Sequence, residues 1–316
     1  MKIVVTRRLP GEGMGRIENA GECWVSPHDR DLTREELLTV FPEAEVLVSL
    51  LSDAIDAKVL DARPSLRLVA NFAVGYDNID LAEAARRGLT VTNTPGVLTA
   101  ATADLALALL LAASRRLVEG DRLVRRGEFK GIAPEFHLGF DLEGRTLGIF
   151  GLGRIGAAVA RRAKTFGLSL IYHNRRPAPD LEAELGARYV SFAELLAQAD
   201  YISINTPLTA ETRHRFTLAE FRAMKKTAII VNTGRGPIIK EADLAEALET
   251  GLIAGAALDV YEFEPRIEPR LLRLETVVLA PHLGSATRGV RERMASLVAD
   301  NVEAFLRGET PPYKVV

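Results

Sequence analysis

Short apolar runs alternate with amphipathic stretches along almost the whole chain. The runs are rich in valine, isoleucine and leucine and predict buried β-strands, while the stretches between them follow the 3.6-residue period of helices. The predicted strands are residues 3–6, 46–49, 68–70, 90–92, 147–150, 168–172, 201–205, 228–231, 256–259 and 277–279. Strands that are apolar on both faces and separated by helices are typical of parallel sheets covered by helices. The pattern therefore predicts an α/β fold.

The strands fall into two groups, which predicts two Rossmann-like or flavodoxin-like parallel-sheet domains. A long apolar helix over residues 97–116 separates the groups, and a final helix over residues 286–307 is expected to return to the first domain. The expected boundaries are residues 1–98 with 287–316 for one domain and residues 99–286 for the other. We expect the active site in the cleft between them.

A glycine motif follows the strand at residues 147–150 and opens a helical stretch at 154–166. The motif is Gly151-Leu152-Gly153-Arg154-Ile155-Gly156. In this context the first glycine permits a tight turn, the second lets backbone approach a pyrophosphate, and the third lets the helix pack on its strand. Free N–H groups at the helix start favour the negative charge of the pyrophosphate. The motif predicts that the domain of residues 99–286 binds a dinucleotide through these six residues.

A second group of glycines gives a different prediction. Gly11, Gly13 and Gly15 follow the first strand, but the third glycine comes one residue too early and Pro10 intervenes. This spacing predicts a loop and a helix start and not a second phosphate-binding turn.

The segment Asn174-Arg175-Arg176 follows the next strand, where an NAD-binding protein usually carries an acid. An acid would hydrogen-bond the ribose 2′-hydroxyl of NAD and repel a 2′-phosphate. The amide and two guanidinium groups instead suit the phosphate. We therefore predict that these three residues bind the cofactor and that NADP(H) is preferred, with NAD(H) also possible.

Composition excludes several classes of function. The 316 residues carry a net charge of −2, so no general basic field favours nucleic acid. The locally basic segment 115–130 is interpreted as a solvated helix face, and the longest apolar run, residues 105–113, is too short to span a membrane. Cys23 is the only cysteine, so no internal disulfide or metal site is predicted. With no signal peptide in view, we expect a cytoplasmic protein.

Three polar side chains that suit catalysis follow predicted strand ends, namely Arg235, Glu264 and His282. An arginine fork binds a carboxylate, and a histidine exchanges a proton near neutral pH. A neighbouring carboxylate would orient the ring and favour its charged form. Around a nicotinamide, this set suits reduction of a 2-keto acid. Each residue also has a structural alternative, as part of a turn or loop, and Glu262 competes with Glu264.

The chain resembles the D-isomer-specific 2-hydroxyacid dehydrogenase family over essentially its whole length, and it is most similar to the glyoxylate/hydroxypyruvate reductases. The resemblance is carried by several motifs in order. They are Asn71-Phe-Ala-Val-Gly-Tyr-Asp-Asn-Ile-Asp80, Thr92-Asn-Thr-Pro-Gly-Val-Leu-Thr99, Thr102-Ala-Asp104, the glycine motif, Asn232-Thr-Gly-Arg-Gly236, Gly255-Ala-Ala-Leu-Asp-Val-Tyr261 and Pro281-His-Leu-Gly284.

The resemblance implies roles for particular residues. Arg235, Glu264 and His282 would form the catalytic set, with Glu264 preferred over Glu262 because the family's acid directly precedes a proline. Further substrate contacts would come from Leu51, Ser52, Val74 and Gly75, and further cofactor contacts from Thr102, Thr206, Pro207, Thr233, Gly234 and Asp259. The resemblance also implies a small 2-keto or 2-hydroxy acid as substrate and a homodimer formed through the cofactor domain.

Two departures from the family pattern affect the expected specificity. Related glyoxylate reductases often carry a tryptophan where this chain has Phe136-His137, and the only tryptophan here is Trp24. Asn174 replaces the aspartate of NAD-preferring members. The alternatives are a D-lactate or 3-phosphoglycerate dehydrogenase, a nucleotide-sensing corepressor on the same fold, and a structural or regulatory subunit.

Overall fold

A computed structural model describes residues Met1–Val316, which form two compact units. The first unit comprises Met1–Leu98 and Ala286–Val316, and the second comprises Thr99–Ser285. The strands are β1 Lys2–Val5, β2 Glu22–Val25, β3 Val46–Ser49, β4 Leu68–Asn71, β5 Thr90–Thr92, β6 Thr146–Phe150, β7 Ser169–His173, β8 Arg188–Tyr189, β9 Tyr201–Ile204, β10 Ile229–Asn232, β11 Gly255–Leu258 and β12 Val277–Leu279. The helices are α1 Glu12–Asn19, α2 Arg34–Thr39, α3 Ala57–Asp61, α4 Leu81–Arg86, α5 Thr99–Ser114, α6 Leu117–Arg125, α7 Arg154–Thr165, α8 Pro179–Leu185, α9 Phe192–Gln198, α10 Leu218–Ala223, α11 Glu241–Glu249 and α12 Arg288–Leu306.

The first unit is built on a five-stranded sheet in the order β2-β1-β3-β4-β5. All of its strand pairs are parallel. This is the flavodoxin-like order, in which loops at the carboxyl ends of neighbouring strands form binding sites. The carboxyl ends of β3 and β4 carry the loops that begin at Leu50 and Phe72.

The second unit is built on a seven-stranded parallel sheet in the order β12-β11-β10-β9-β6-β7-β8. Counted from β6, this is the doubly wound 3-2-1-4-5-6 order with a seventh strand added at one edge. The sheet is buried on both faces. Along β10, Ile230 packs into the apolar core on one face, while Ile229 and Val231 pack into the core on the other. The two sheets confirm the predicted α/β fold class.

Two strands escaped prediction from the sequence. β2 is an edge strand whose sequence Glu-Cys-Trp-Val is only partly buried, so it lacks the continuous apolar run of an interior strand. β8 has two residues and also lies at a sheet edge. Both strands depend on pairing with an interior neighbour more than on their own sequence, and for this reason the pattern did not reveal them.

The early glycines lie in a loop and a helix start, as their spacing predicted. α1 begins directly after Gly11, and it packs on α12 within the first unit. A Cβ added at Gly13 would lie 2.4 Å from the carbonyl carbon of Ala295 in α12, whereas one added at Gly15 would meet nothing within 4 Å. Gly13 therefore permits a close helix–helix contact that any side chain would disrupt.

We predict opposite effects from the same substitution at these two glycines. Gly13→Ala should lower the free energy of unfolding by about 1–3 kcal/mol, because overpacked backbone must move apart. Gly15→Ala is the matched control on the same helix and should raise it by up to about 1 kcal/mol through helix propensity. Chemical denaturation of both variants measures the difference. Equal effects would contradict the close packing.

Candidate active site

The glycine motif forms the turn between β6 and α7, and two of its glycines are required by geometry. Gly151 has φ +102°, and a Cβ there would lie 2.6 Å from Cγ2 of Thr206. A Cβ at Gly156 would lie 2.1 Å from the carbonyl oxygen of Gly151. No side chain caps the start of α7 at Gly153, and the space beside Gly153 is open. Backbone N–H groups at this helix start are accessible to an anionic ligand.

Polar atoms without partners lie in the loops after β9 and β10, and the first of these loops contacts the turn. The side-chain oxygens Asn205 Oδ1, Thr206 Oγ1 and Thr233 Oγ1 are buried and have no hydrogen-bond partner in the protein. Asn205 and Thr206 follow β9, which neighbours β6, and Thr233 follows β10. Buried polar groups are normally paired, so a cluster of unpaired ones indicates that a polar ligand completes it. Together with the open helix start, these residues fit a dinucleotide.

Asn174 has a contact that the sequence did not reveal. Its Oδ1 accepts a 2.7 Å hydrogen bond from the backbone N–H of Leu152, inside the glycine motif. The Tyr189 hydroxyl donates to the carbonyl oxygen of Asn174 at 3.2 Å. The amide therefore braces the glycine turn. The side chain of Arg175 is 85% exposed, with Glu211 4.0 Å away, and Arg176 is also exposed.

His282 and Glu264 form a pair. Nδ1 of His282 lies 2.9 Å from Oε2 of Glu264, and the other oxygen of Glu264 accepts a 2.9 Å hydrogen bond from the N–H of Tyr261. Because a carboxylate oxygen accepts, Nδ1 donates, and Nε2 of His282 has no partner in the protein. Burial raises the pKa of the Glu264 carboxyl, but the hydrogen bond and charge of His282 outweigh it and lower the pKa below its usual range. The carboxylate accordingly holds the imidazole ring in one orientation, with Nδ1 as the donor.

The competing acid, Glu262, has different partners. Its Oε1 lies 2.6 Å from Nε2 of His214, and its Oε2 accepts a hydrogen bond from the N–H of Glu241 at 3.0 Å. Glu262 thus contacts His214, and only Glu264 of the two acids contacts His282.

Arg235 follows β10, so it lies at the same edge of the sheet as the pair. β10, β11 and β12 are adjacent and parallel, and their carboxyl ends carry Arg235, the loop of Glu264 and His282 respectively. The Arg235 charge also contributes to the lowered pKa of Glu264, after burial and the larger effects of His282. The side chain of buried Asn232 holds the turn, since it donates to Arg235 O at 3.0 Å and accepts from Gly234 N at 3.0 Å.

Asp259 fixes the backbone around His282. Its two carboxylate oxygens accept hydrogen bonds from the N–H groups of Leu283 at 2.6 Å and Gly284 at 2.8 Å. Its own carbonyl oxygen accepts from the N–H of His282 at 2.9 Å, and Thr102 Oγ1 donates to Gly284 O at 2.9 Å. His282 is held at φ +54°, a conformation uncommon for a side-chain-bearing residue. Burial raises the pKa of Asp259.

Two supporting residues were missed by sequence reasoning. The hydroxyl of buried Tyr261 donates to Ala280 O at 2.8 Å, which links the loops after β11 and β12. Burial raises the pKa of this phenol to about 12, so it remains a neutral donor. Glu241 in α11 is also buried, and its carboxylate accepts N–H groups from Glu262 and Glu268. Their local sequence does not reveal these roles, because their partners lie in other loops.

The substrate-contact residues expected in the first unit lie in two loops at its sheet edge. Leu51 and Ser52 follow β3, and Val74 and Gly75 follow β4. The backbone N–H groups of these residues donate to no group of the protein. An exposed cluster of N–H donors suits an anion such as a carboxylate.

The structure contains no helix whose length and apolar character would let it cross a membrane.

Known proteins of one family are similar to this chain over nearly its whole length. Residues 107–284 match the D-isomer specific 2-hydroxyacid dehydrogenase, NAD binding domain, family. The glyoxylate reductase of Thermococcus kodakarensis is 51% identical over 315 residues, covering 98% of this chain and 95% of the relative. A protein from Thermus thermophilus superposes with a TM-score of 0.93 at 45% identity, with both chains covered in full. The NADPH-dependent glyoxylate/hydroxypyruvate reductase of Sinorhizobium meliloti, solved with NADP and malonate, gives a TM-score of 0.87 at 35% identity, covering 100% of this chain and 96% of that one. This chain therefore belongs to the D-isomer specific 2-hydroxyacid dehydrogenase family.

Proposed function

We propose that this protein reduces glyoxylate and hydroxypyruvate to glycolate and glycerate, with NADPH as its preferred cofactor. The observation that carries the proposal is the Glu264–His282 pair, which shares a sheet edge with Arg235. The Thermococcus relative is named a glyoxylate reductase and is 51% identical over 98% of this chain. This similarity supports the same substrate class here.

His282 is the proton donor in this proposal. Glu264 accepts from Nδ1, so Nε2, which has no partner in the protein, carries the proton that the substrate oxygen receives. A bound nicotinamide cofactor would supply the hydride for the carbonyl carbon. The two transfers convert the aldehyde or ketone to an alcohol and consume one proton in total.

Arg235 binds the carboxylate of the substrate and polarises its carbonyl oxygen. Its guanidinium is always charged and presents two parallel donors, which match a carboxylate. The N–H groups of Leu51, Ser52, Val74 and Gly75 are the further carboxylate donors that we propose. They are unpaired within the first unit and belong to its sheet-edge loops.

The cofactor is held by the residues of the glycine turn and by the unpaired oxygens around it. The turn from Gly151 to Gly156 binds the pyrophosphate. Thr206 with Pro207 contacts the adenosine ribose. Thr233 with Gly234 lies by the nicotinamide. We assign Asp259 and Thr102 to this end as well, through the loop of His282 that both hold. The exposed guanidinium groups of Arg175 and Arg176 bind the 2′-phosphate, and Asn174 braces the turn beside them without contributing negative charge.

We also propose that the protein is a homodimer formed through the second unit. Six of the twelve exposed large apolar side chains of the whole chain lie within residues 117–138. They are Leu117, Val124, Phe129, Ile132, Phe136 and Leu138. Such a concentration in one segment is typical of a surface that another chain covers. Phe136 and His137 belong to this segment, at the position where related reductases often carry a tryptophan.

A panel of 2-keto acids assayed with NADPH tests the function. We predict oxidation of NADPH with glyoxylate and hydroxypyruvate, and weaker activity with pyruvate and 3-phosphohydroxypyruvate. His282→Ala should lower kcat by about 10²–10⁴-fold, as expected for loss of a general acid. Its NADPH affinity, measured by fluorescence titration, should stay unchanged because the side chain does not hold the cofactor.

The His282→Ala protein is its own folding control, because intact NADPH binding shows a native second unit. Near-normal turnover in this variant would refute the role of His282. Absence of activity on every acid of the panel in the unaltered protein would refute the proposed reaction.

Glu264→Gln should lower kcat for the reduction. The carboxylate orients the ring of His282 by accepting from Nδ1, and a neutral amide is a weaker acceptor. We predict a fall in kcat of about tenfold or more. Glu262→Gln is the matched control from the same loop, and since Glu262 contacts His214 it should leave kcat unchanged. Unchanged kcat in Glu264→Gln would separate the pair from proton transfer.

Replacing both Arg175 and Arg176 with alanine should weaken NADPH selectively. We predict a rise of about tenfold or more in KM for NADPH, because the charged hydrogen bonds to a 2′-phosphate are lost. KM for NADH should not change. Arg161→Ala removes an exposed arginine of α7 that pairs with Glu184 and serves as the control for charge alone. If the unaltered protein uses NADH better than NADPH, the proposed preference is wrong.

A further inference from the structure

Three consecutive carbonyl groups in the loop after β4 are tied to the body of the first unit. The N–H of Thr94 donates to Ala73 O at 2.9 Å. The side-chain amide of Asn93 donates to Val74 O at 2.8 Å, and that of Asn71 donates to Gly75 O at 2.9 Å. Two of the three donors are therefore asparagine side chains.

These bonds fix where the neighbouring N–H groups point. In a planar trans peptide the carbonyl oxygen and the N–H of the next residue point in opposite directions. Each tied carbonyl thus turns the following N–H, those of Val74, Gly75 and Tyr76, away from the unit's interior. None of these three groups donates a hydrogen bond within the protein. Consecutive outward N–H groups form a concavity that suits an anion.

Both asparagines are themselves held in place. Asn71 is fully buried, and its Oδ1 accepts from the hydroxyl of Ser49 at 3.1 Å. Asn93 is 9% exposed, and its backbone is fixed between Tyr313 O, which accepts its N–H at 3.2 Å, and Asn301, which donates to its carbonyl at 3.3 Å. The donors are rigid, so the orientation of the three peptides is set before any ligand arrives.

The loop after β3 is joined to the same arrangement. The Asn78 side chain donates to Leu50 O at 3.1 Å and to Asp53 O at 2.9 Å. The carboxylate of buried Asp53 accepts the N–H of Leu50 at 2.7 Å and the hydroxyl of Thr6 at 2.6 Å. The Asn78 contacts hold the two loops of the first unit in a fixed relation. The N–H groups of Leu51 and Ser52 remain unpaired.

We propose that Asn93 and Asn71 are positioning residues that aim the N–H groups of Val74, Gly75 and Tyr76 at the substrate carboxylate. The inference rests on the proposed function for the identity of the ligand, although the orientation of the peptides does not. An amide is required because its N–H₂ group donates to a carbonyl oxygen, whereas an ionised carboxylate at the same position would repel it.

Asn93→Asp tests the proposal by steady-state kinetics across pH. At neutral and alkaline pH the carboxylate opposes Val74 O, and KM for glyoxylate should rise about tenfold or more while KM for NADPH stays unchanged. At acid pH the protonated carboxyl donates its O–H to Val74 O. The ratio of the variant's KM to that of the unaltered protein should then fall toward one, which a purely structural defect would not produce.

Two further variants complete the design. Asn93→Ala removes the donor without adding charge, so KM for glyoxylate should rise with no recovery at acid pH. Thr92→Val is the matched control one residue away, because it is nearly isosteric and its buried hydroxyl has no hydrogen-bond partner. It should leave KM unchanged. Unchanged KM in both Asn93 variants would overturn the inference.

Calorimetric titration with oxalate separates this inference from the proposed function. Oxalate carries the same carboxylate as glyoxylate but cannot be reduced, so it reports binding even if the protein does not act on glyoxylate. We expect the unaltered protein to bind oxalate and Asn93→Ala to bind it about tenfold more weakly or worse. Equal binding by the two proteins, or no binding by the unaltered protein, would overturn the inference whatever the kinetics show.

Discussion

The parallel direction of every strand is the constraint on which the candidate site depends. In a parallel sheet all carboxyl ends lie at one edge, so side chains far apart in the sequence become neighbours without any contact between their own segments. Arg235, Glu264 and His282 follow three adjacent strands and lie at one edge of the sheet for this reason. Burial of Ile230 on one face and of Ile229 and Val231 on the other anchors β10 between two apolar cores. The apolar cores thus determine where the polar chemistry lies.

Beyond the strand ends the backbone is irregular, and buried polar side chains replace the hydrogen bonds that a sheet would supply. Asp259 accepts the N–H groups of Leu283 and Gly284, and Glu241 accepts those of Glu262 and Glu268. Burying a carboxylate is unfavourable unless donors surround it, and here backbone N–H groups are the donors. The same carboxylates that are hard to bury therefore give the loops one conformation.

The sequence allowed the fold class, most strands and the glycine turn to be predicted, because each depends on local pattern or on one residue type at a fixed spacing. It did not reveal that Asn174 accepts the N–H of Leu152, or that Tyr261 links two loops. These contacts join segments that are separated in the chain, and many polar residues in a loop sequence are equally able to make them. The edge strands β2 and β8 were missed for a related reason, as their pairing partner and not their composition makes them strands. The choice between Glu262 and Glu264 came from family resemblance, and the structure supplies its geometric basis in two different histidine partners.

Residues that hold the site have polar groups with hydrogen-bond partners in the protein, whereas the groups available to a ligand have none. Nδ1 of His282 is bound to Glu264, and this leaves Nε2 as the nitrogen that can exchange a proton. The carbonyls of Val74 and Gly75 are bound to asparagine side chains, and their tethering leaves the adjacent N–H groups outward. Thr206 and Thr233 keep buried hydroxyls without partners beside a glycine turn whose own backbone is braced. For His282 and for the loop after β4, one hydrogen bond within the protein determines the direction of a neighbouring group that has none. Removing the bound partner should therefore impair ligand recognition even though the group that meets the ligand is untouched.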